Sequence, residues 1–157
     1  MDILRFRRLG FVFLVFFVFF AATHLGTPGR ADPLLTFPLR IQGQEIRAEV
    51  ANTPESRRQG LMFRPSLPDA AGMVFVFPEA GRHAMWMKDT TVPLSVAFID
   101  GHGRILNIED MAPYSEDTHQ SAGPARYALE VNRGWFARHG IKPGARVEGL
   151  GRLPPAQ

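Results

Sequence analysis

The chain predicts a mostly β, single-domain protein, a β-sandwich or partly closed barrel carrying two short helices. Three observations lead there. Ile46, Ala48 and Val50 alternate with Glu45, Arg47 and Glu49, the period of a strand buried on one face. Short extended runs of this kind recur along the chain, separated by glycine- and proline-rich turns. Only two stretches suit a helix, too few to alternate with the strands as a doubly wound α/β sheet demands.

The elements follow in order. Leu34 to Ile41 and Gln44 to Ala51 form a hairpin around Gln42-Gly43. Thr53-Pro54-Glu55 opens a short helix: the hydroxyl caps free N–H groups, proline suits the first helical position, and the acid meets the positive end of the dipole. Gly60 ends it. Strands are expected at Met73–Phe77, Ala84–Met87, Leu94–Asp100 and Arg104–Ile108, the last two joined through Gly101-His102-Gly103. Pro113 to Pro124 has little apolar content and predicts a surface loop. Arg126–Val131 is another strand, after which Asn132 caps a second helix carrying Trp135 and Phe136, with Gly140 beyond its end. Lys142-Pro143-Gly144 turns into a last strand near Arg146–Leu150, and residues 151–157 form a tail.

The first 31 residues read differently. Arg5, Arg7 and Arg8 precede an uncharged run from Leu9 to Ala22, and Gly29-Arg30-Ala31 supplies a small-residue exit. This is the pattern of a secretory signal peptide over residues 1–31, with the domain occupying 32–157. The apolar run falls short of the roughly 20 residues that span a bilayer core. Cleavage would therefore leave no stable membrane span, and retention as an anchor is the alternative. The protein is expected to be exported, to the periplasm or beyond the cell. Four of the 18 basic residues (Arg5, Arg7, Arg8, Arg30) and one of the 15 acidic ones (Asp2) lie in the segment, leaving 14 of each. Nucleic-acid binding leaves a basic excess on the domain that does it, so nucleic acid is not an expected partner. The chain has no cysteine, which removes disulfides, thiol nucleophiles and thiolate metal sites together.

Five strings occur in sequence: Gly60-Leu61-Met62-Phe63-Arg64; Gly72-Met73-Val74-Phe75-Val76-Phe77; Trp86-Met87-Lys88-Asp89-Thr90 with Pro93-Leu94; Phe98-Ile99-Asp100; and Ala128-Leu129-Glu130. Together they resemble the family known as domain of unknown function 192, over roughly residues 37–150. The resemblance implies a small β-sandwich of jelly-roll type. It implies no reaction, no cofactor and no catalytic residue. Two positions depart from the family pattern, which usually has Asn where Asp89 stands and often Asp where Ser95 stands. The second departure weakens any scheme that needs a carboxylate at position 95.

Three constellations carry chemistry. On a strand, Trp86 and Lys88 share a face, and with Arg64 they would form a concave patch for a polar or anionic ligand. The plainer reading is a buried Trp86, with Lys88 paired to Asp89 or Glu130. Glu130 stands inside the apolar run Tyr127–Val131, where a charge is costly unless it meets solvent or a partner; Lys88 and Arg64 are the candidate partners. Arg64, Trp86, Lys88 and Glu130 are thus the candidate ligand-binding residues. A carboxylate–lysine enzyme site built from Glu130, Lys88 and Asp100 is one alternative. The other is Cu(I) binding by His83, Met85 and Met87, a soft donor set sharing one strand face, against which stands ordinary methionine packing in a core. The chain carries no Gly-x-Ser-x-Gly elbow, no His-Glu-x-x-His pair and no phosphate-cradling loop before a helix. The sequence therefore predicts an exported module that binds a small ligand or an envelope partner, with no cofactor implied.

Overall fold

The structure, a computed structural model, describes residues 34–157. The expected signal segment lies outside the described residues. The chain runs β1 (Thr36–Ile41), β2 (Gln44–Ala51), α1 (Pro54–Gln59), β3 (Ala71–Gly81), β4 (Ala84–Met85), β5 (Leu94–Ile99) and β6 (Ile105–Met111). It continues through β7 (His119–Gln120), β8 (Ala125–Asn132), α2 (Trp135–Arg138), β9 (Val147–Glu148) and a single 3-10 turn, Leu150–Arg152. Seven strands form one sheet in the order β6-β5-β8-β3-β2-β1-β9, and β4 pairs with β7 in a small second sheet. The pairing is antiparallel except between β2 and β3, whose parallel register needs a crossover; α1 lies in it.

The large sheet curls until its edges meet. Arg104, just before β6, bridges Arg146, just before β9. The Ile105 N–H donates to the Ala145 carbonyl at 2.9 Å and the Val147 N–H to the Gly103 carbonyl at 2.8 Å. The result is a half-barrel, the partly closed form of the predicted mostly β class. Its concave side holds Leu39, Ile46, Val50, Val74, Ile99 and Leu129, with Trp135 and Phe136 of α2 packed against them. The opposite face of the central strands carries Phe75, Val96 and Phe98, covered by Leu61, Met87 and Met111. Strands buried on both faces read as continuous apolar runs, which is why β5 (LSVAFI) shows no alternation while β2 does.

Local chemistry explains the helices. Thr53 caps α1 as expected: its Oγ1 accepts from the Ser56 N–H, and Ser56 Oγ accepts from the Thr53 N–H, a reciprocal box. Gly60 closes the helix at φ +50°, where a Cβ would sit 3.2 Å from the Phe75 ring. Three expectations need correction. Asn132 does not cap α2; it ends β8 and its amide donates to the carbonyls of Leu67 and Pro68, while α2 starts from Gly134 without a side-chain cap. The 113–124 loop contains β7, a two-residue strand too short for any periodicity to register. The tail is docked: the Gln157 N–H donates to the Asn52 carbonyl, and Arg57 donates to the Gln157 carbonyl.

Candidate functional site

Strand β8 alternates like any other, and the alternation decides where Glu130 points. Leu129 and Val131 enter the concave core, so Ala128 and Glu130 face the other side. There Glu130 stands between Met73 of β3 and Val96 of β5, its register partners on either side, and only 3% of it is exposed. Burial alone pushes its carboxyl up to about 8. A buried carboxylate is disfavoured relative to its neutral form, and among the described residues neither a cation nor a donated hydrogen bond offsets that. The ion pairs among the described residues join other acids: Glu45, Glu49, Asp69 and Asp110.

Glu130 lines a narrow shaft of about 30 Å³, walled by Gly60, Leu61, Phe75, Met85, Trp86 and Thr90, with Arg57 to Gln59 and Met62 completing it. A wider groove of about 620 Å³ adjoins it, lined by Glu55, Met62, Phe63, Trp86, Lys88 and Asp89, with Arg58 and Gln59. The two share Arg58, Gln59, Met62 and Trp86 as common wall. The α1 crossover supplies one side and the segment after β4 the other. The groove wall is held in an unusual backbone conformation. Phe63 (φ +63°) and Asp89 (φ +52°) are both left-handed, and the Phe63 N–H donates to the Asp89 carbonyl at 2.9 Å. Such conformations cost of order 1–3 kcal/mol each for a non-glycine residue and gather at ligand sites. Asn and Asp tolerate that region best, so the Asp at position 89, where the family pattern has Asn, keeps the same turn.

The structure brings Trp86, Lys88 and Glu130 to these adjoining cavities and leaves Arg64 out. Arg64 makes a two-pronged pair with Glu49, Nη1 to Oε1 at 2.7 Å and Nη2 to Oε2 at 2.6 Å. Trp86 is 45% exposed, where the plainer sequence reading had it buried, and the Lys88 ammonium stands over its ring, 5.5 Å from the centroid. Neither expected cation therefore pairs with Glu130. The physical reason is placement: Lys88 lines the outer groove and not the shaft. Arg57 does reach the shaft wall, but its guanidinium is spent on the carbonyls of Asn52, Val76 and Gln157. Asp100 is a turn acid, its Oδ1 accepting from the His102 and Arg104 N–H groups.

The shared face expected for His83, Met85 and Met87 depended on a strand running to Met87. That strand stops at Met85. The His83 ring stacks on Phe77, centroids 3.7 Å apart, with Nε2 3.2 Å from the Glu79 carbonyl oxygen. Met85 lines the shaft and Met87 is wholly buried in the outer core. Position 95 is also settled by the alternation. Ser95 donates to Asp110 and accepts from the Gly134 N–H on the face opposite Glu130, so an acid there would not reach the shaft. Sequence reasoning missed α1 as a wall: it read Gly60 as the helix stop, and no local pattern shows that this glycine is held against Phe75.

The chain is a β half-barrel with a carboxyl buried beside an open groove, and comparison with known proteins identifies its family. The family model for domain of unknown function 192 (DUF192), described as "Uncharacterized ACR", matches residues 37–149, and the chain belongs to that family. No curated protein matches. A crystal structure from Sinorhizobium meliloti 1021, named a "putative transcription regulator", is 38% identical, with a TM-score of 0.73, over 76% of this chain and 97% of that one. A protein of unknown function from Novosphingobium aromaticivorans DSM 12444 is 36% identical, again with a TM-score of 0.73, over 77% of this chain and 90% of that one. Four of the five strings that carry the family resemblance contribute to the cavity walls, alongside α1 and Met85. Gly60 to Phe63, Phe75, Trp86, Lys88 to Thr90 and Glu130 all come from those strings.

Proposed function

We propose that the protein is an exported binding module that holds a small ligand in the groove beside α1, with one end of it in the shaft above Glu130. The observation that carries this reading is the Glu130 carboxyl, almost wholly buried, facing a cavity and without a partner among the described residues. Stability gives no reason to keep such a group, because an apolar side chain would fill the same position at lower cost. Strongly perturbed carboxyls in clefts collect at functional sites. The exposed Trp86 and Phe63 beside it provide apolar contact area.

The words attached to the Sinorhizobium relative raise DNA as an alternative partner. Residues 34–157 carry 14 basic and 13 acidic side chains, and a DNA-binding surface ordinarily shows a basic excess. A small ligand suits this charge balance better. Export rests on the basic start, the apolar run and the small-residue exit of the first 31 residues. Among the described residues, no helix is long and apolar enough to cross a membrane.

A fragment screen read by protein NMR tests the binding reading. Fragments that bind should shift the Gly60 and Leu61 amides together with the Trp86 indole N–H. Binders that map to another face, or a screen in which nothing shifts these signals, would overturn it. For export, N-terminal sequencing of protein from the native envelope should begin near Asp32; intact Met1 in soluble cytoplasm would refute that half of the proposal.

A further inference from the structure

We propose that the shaft is a receptor for a primary ammonium group, taking the protonated amine of a ligand whose apolar body lies in the groove. The inference rests on the binding-module reading and names the ligand class for that site. Size comes first. By this measure of volume a water needs about 10–15 Å³. The shaft, at about 30 Å³, therefore takes two or three heavy atoms, the size of a terminal CH₂–NH₃⁺. Hydrogen bonding comes second. A carboxylate accepts only, and an ammonium has three donors and no acceptor. Glu130 receives no donor from the described residues, and Thr90, whose hydroxyl donates to the Lys88 carbonyl at 3.0 Å, has lone pairs left to accept.

The mouth repeats the preference. The face of Trp86 already holds a primary ammonium, that of Lys88, at 5.5 Å from the ring centroid, the geometry of a cation–π contact. In the groove Arg58 and Lys88 are balanced by Glu55 and Asp89, so nothing there selects an anionic body. An anion in the shaft would oppose ionisation of Glu130, whereas a cation there is paired by it. Met73 and Val96 of the neighbouring strands carry no charge, Arg57 is engaged with three carbonyls, Arg58 stands on the wall that shaft and groove share, and Lys88 and Asp89 belong to the outer groove.

Isothermal titration calorimetry of the purified protein at pH 7 with 2-phenylethylammonium tests this, run in two buffers of different protonation enthalpy. 2-Phenylethanol and 3-phenylpropanoate serve as the neutral and anionic comparators. The amine should bind at least about tenfold more tightly than either comparator. Binding should release close to one proton, because a carboxyl at about 8 is largely protonated in the empty shaft and ionises beneath a cation. The amine keeps its own proton at this pH. Glu130→Gln should weaken amine binding about tenfold or more and abolish the proton release, with an undiminished melting temperature showing that it folds. Should that variant fail to fold, proton release by the wild type still decides. Equal or tighter binding of the alcohol or the acid, or amine binding without proton release, overturns the ammonium assignment. If a comparator shifts the Trp86 indole N–H while the amine does not, the binding module stands and only the ligand class falls. If none of the three binds at millimolar concentration, both fall.

Discussion

Two neighbouring residues of β8, Leu129 and Glu130, are both almost wholly buried, yet they serve opposite ends. Leu129 joins a concave core that draws side chains from strands at both edges of the curled sheet, so closure of the half-barrel and burial of that face are one event. Glu130, one residue on, faces a layer covered by loop segments and α1, and that layer contains a void. The difference teaches how a small domain divides its labour. The concave face supplies stability through packing, while the outer face tolerates a destabilising group because the inner one does not depend on it.

The largest effect expected from this contrast is a dependence of stability on pH. The folded carboxyl of Glu130 titrates at about 8, well above the ordinary value near 4.5 that it regains on unfolding. The native state therefore holds a proton that the unfolded chain has released. The stability this gives is fully present below the unfolded value, declines as pH rises, and is gone above the folded value. A shift of a little over three units corresponds to roughly 4–5 kcal/mol at about 1.36 kcal/mol per unit. Urea unfolding across that window should show the wild type losing stability against Glu130→Gln, which has no proton to lose. At about pH 8 the variant should be the more stable of the two. The sequence alone suggested the opposite, since a Glu130 paired to a buried cation would lose about 3–5 kcal/mol on neutralisation. Parallel pH profiles for the two proteins would mean that ionised Glu130 has partners after all.

The concave side should answer to volume instead. Leu129→Ala should cost about 2–5 kcal/mol, through lost transfer energy and an unfilled cavity. On the outer side Met85→Leu, which conserves volume at the shaft wall, should cost less than about 1.5 kcal/mol. Chemical denaturation of both variants measures the pair. A Leu129→Ala penalty no larger than that of Met85→Leu would break the contrast between the two faces.

Most of the fold was legible because most of it rests on local rules. The Thr53 cap, the Gly60 stop, the Gln42-Gly43 hairpin and the β2 alternation each involve residues close in sequence, and each is found where expected. Curling was not legible beyond the alternative of a partly closed barrel, because it depends on Arg104 and Arg146 meeting across the chain. The site divided along the same line. Glu130 could be singled out, since a charge in an apolar strand is a local anomaly. Its surroundings could not, because its register partners lie dozens of residues away on β3 and β5 and its lid is α1. The face shared by His83, Met85 and Met87 failed for a different reason: alternation was extended through residues that leave the strand after Met85.

Arg64 gives the smallest effect and the sharpest boundary for the site. Its hydrogen bonds to Glu49 hold the guanidinium above its usual value, but the pair is partly open to solvent, with the two side chains 37% and 23% exposed. Solvent screening and side-chain entropy limit such a pair to about 0–1 kcal/mol. Its contribution should shrink further as salt rises. The backbone at this position is secured separately, since the Arg64 carbonyl accepts from the Thr91 hydroxyl at 2.7 Å. Arg64→Gln should therefore change stability by less than about 1 kcal/mol at low salt and less still at high salt. It should also leave the affinity for 2-phenylethylammonium within about twofold, because Arg64 lines neither the shaft nor the groove. A tenfold loss of affinity with stability unchanged would return Arg64 to the binding surface, and the site would then extend past Phe63 toward β2.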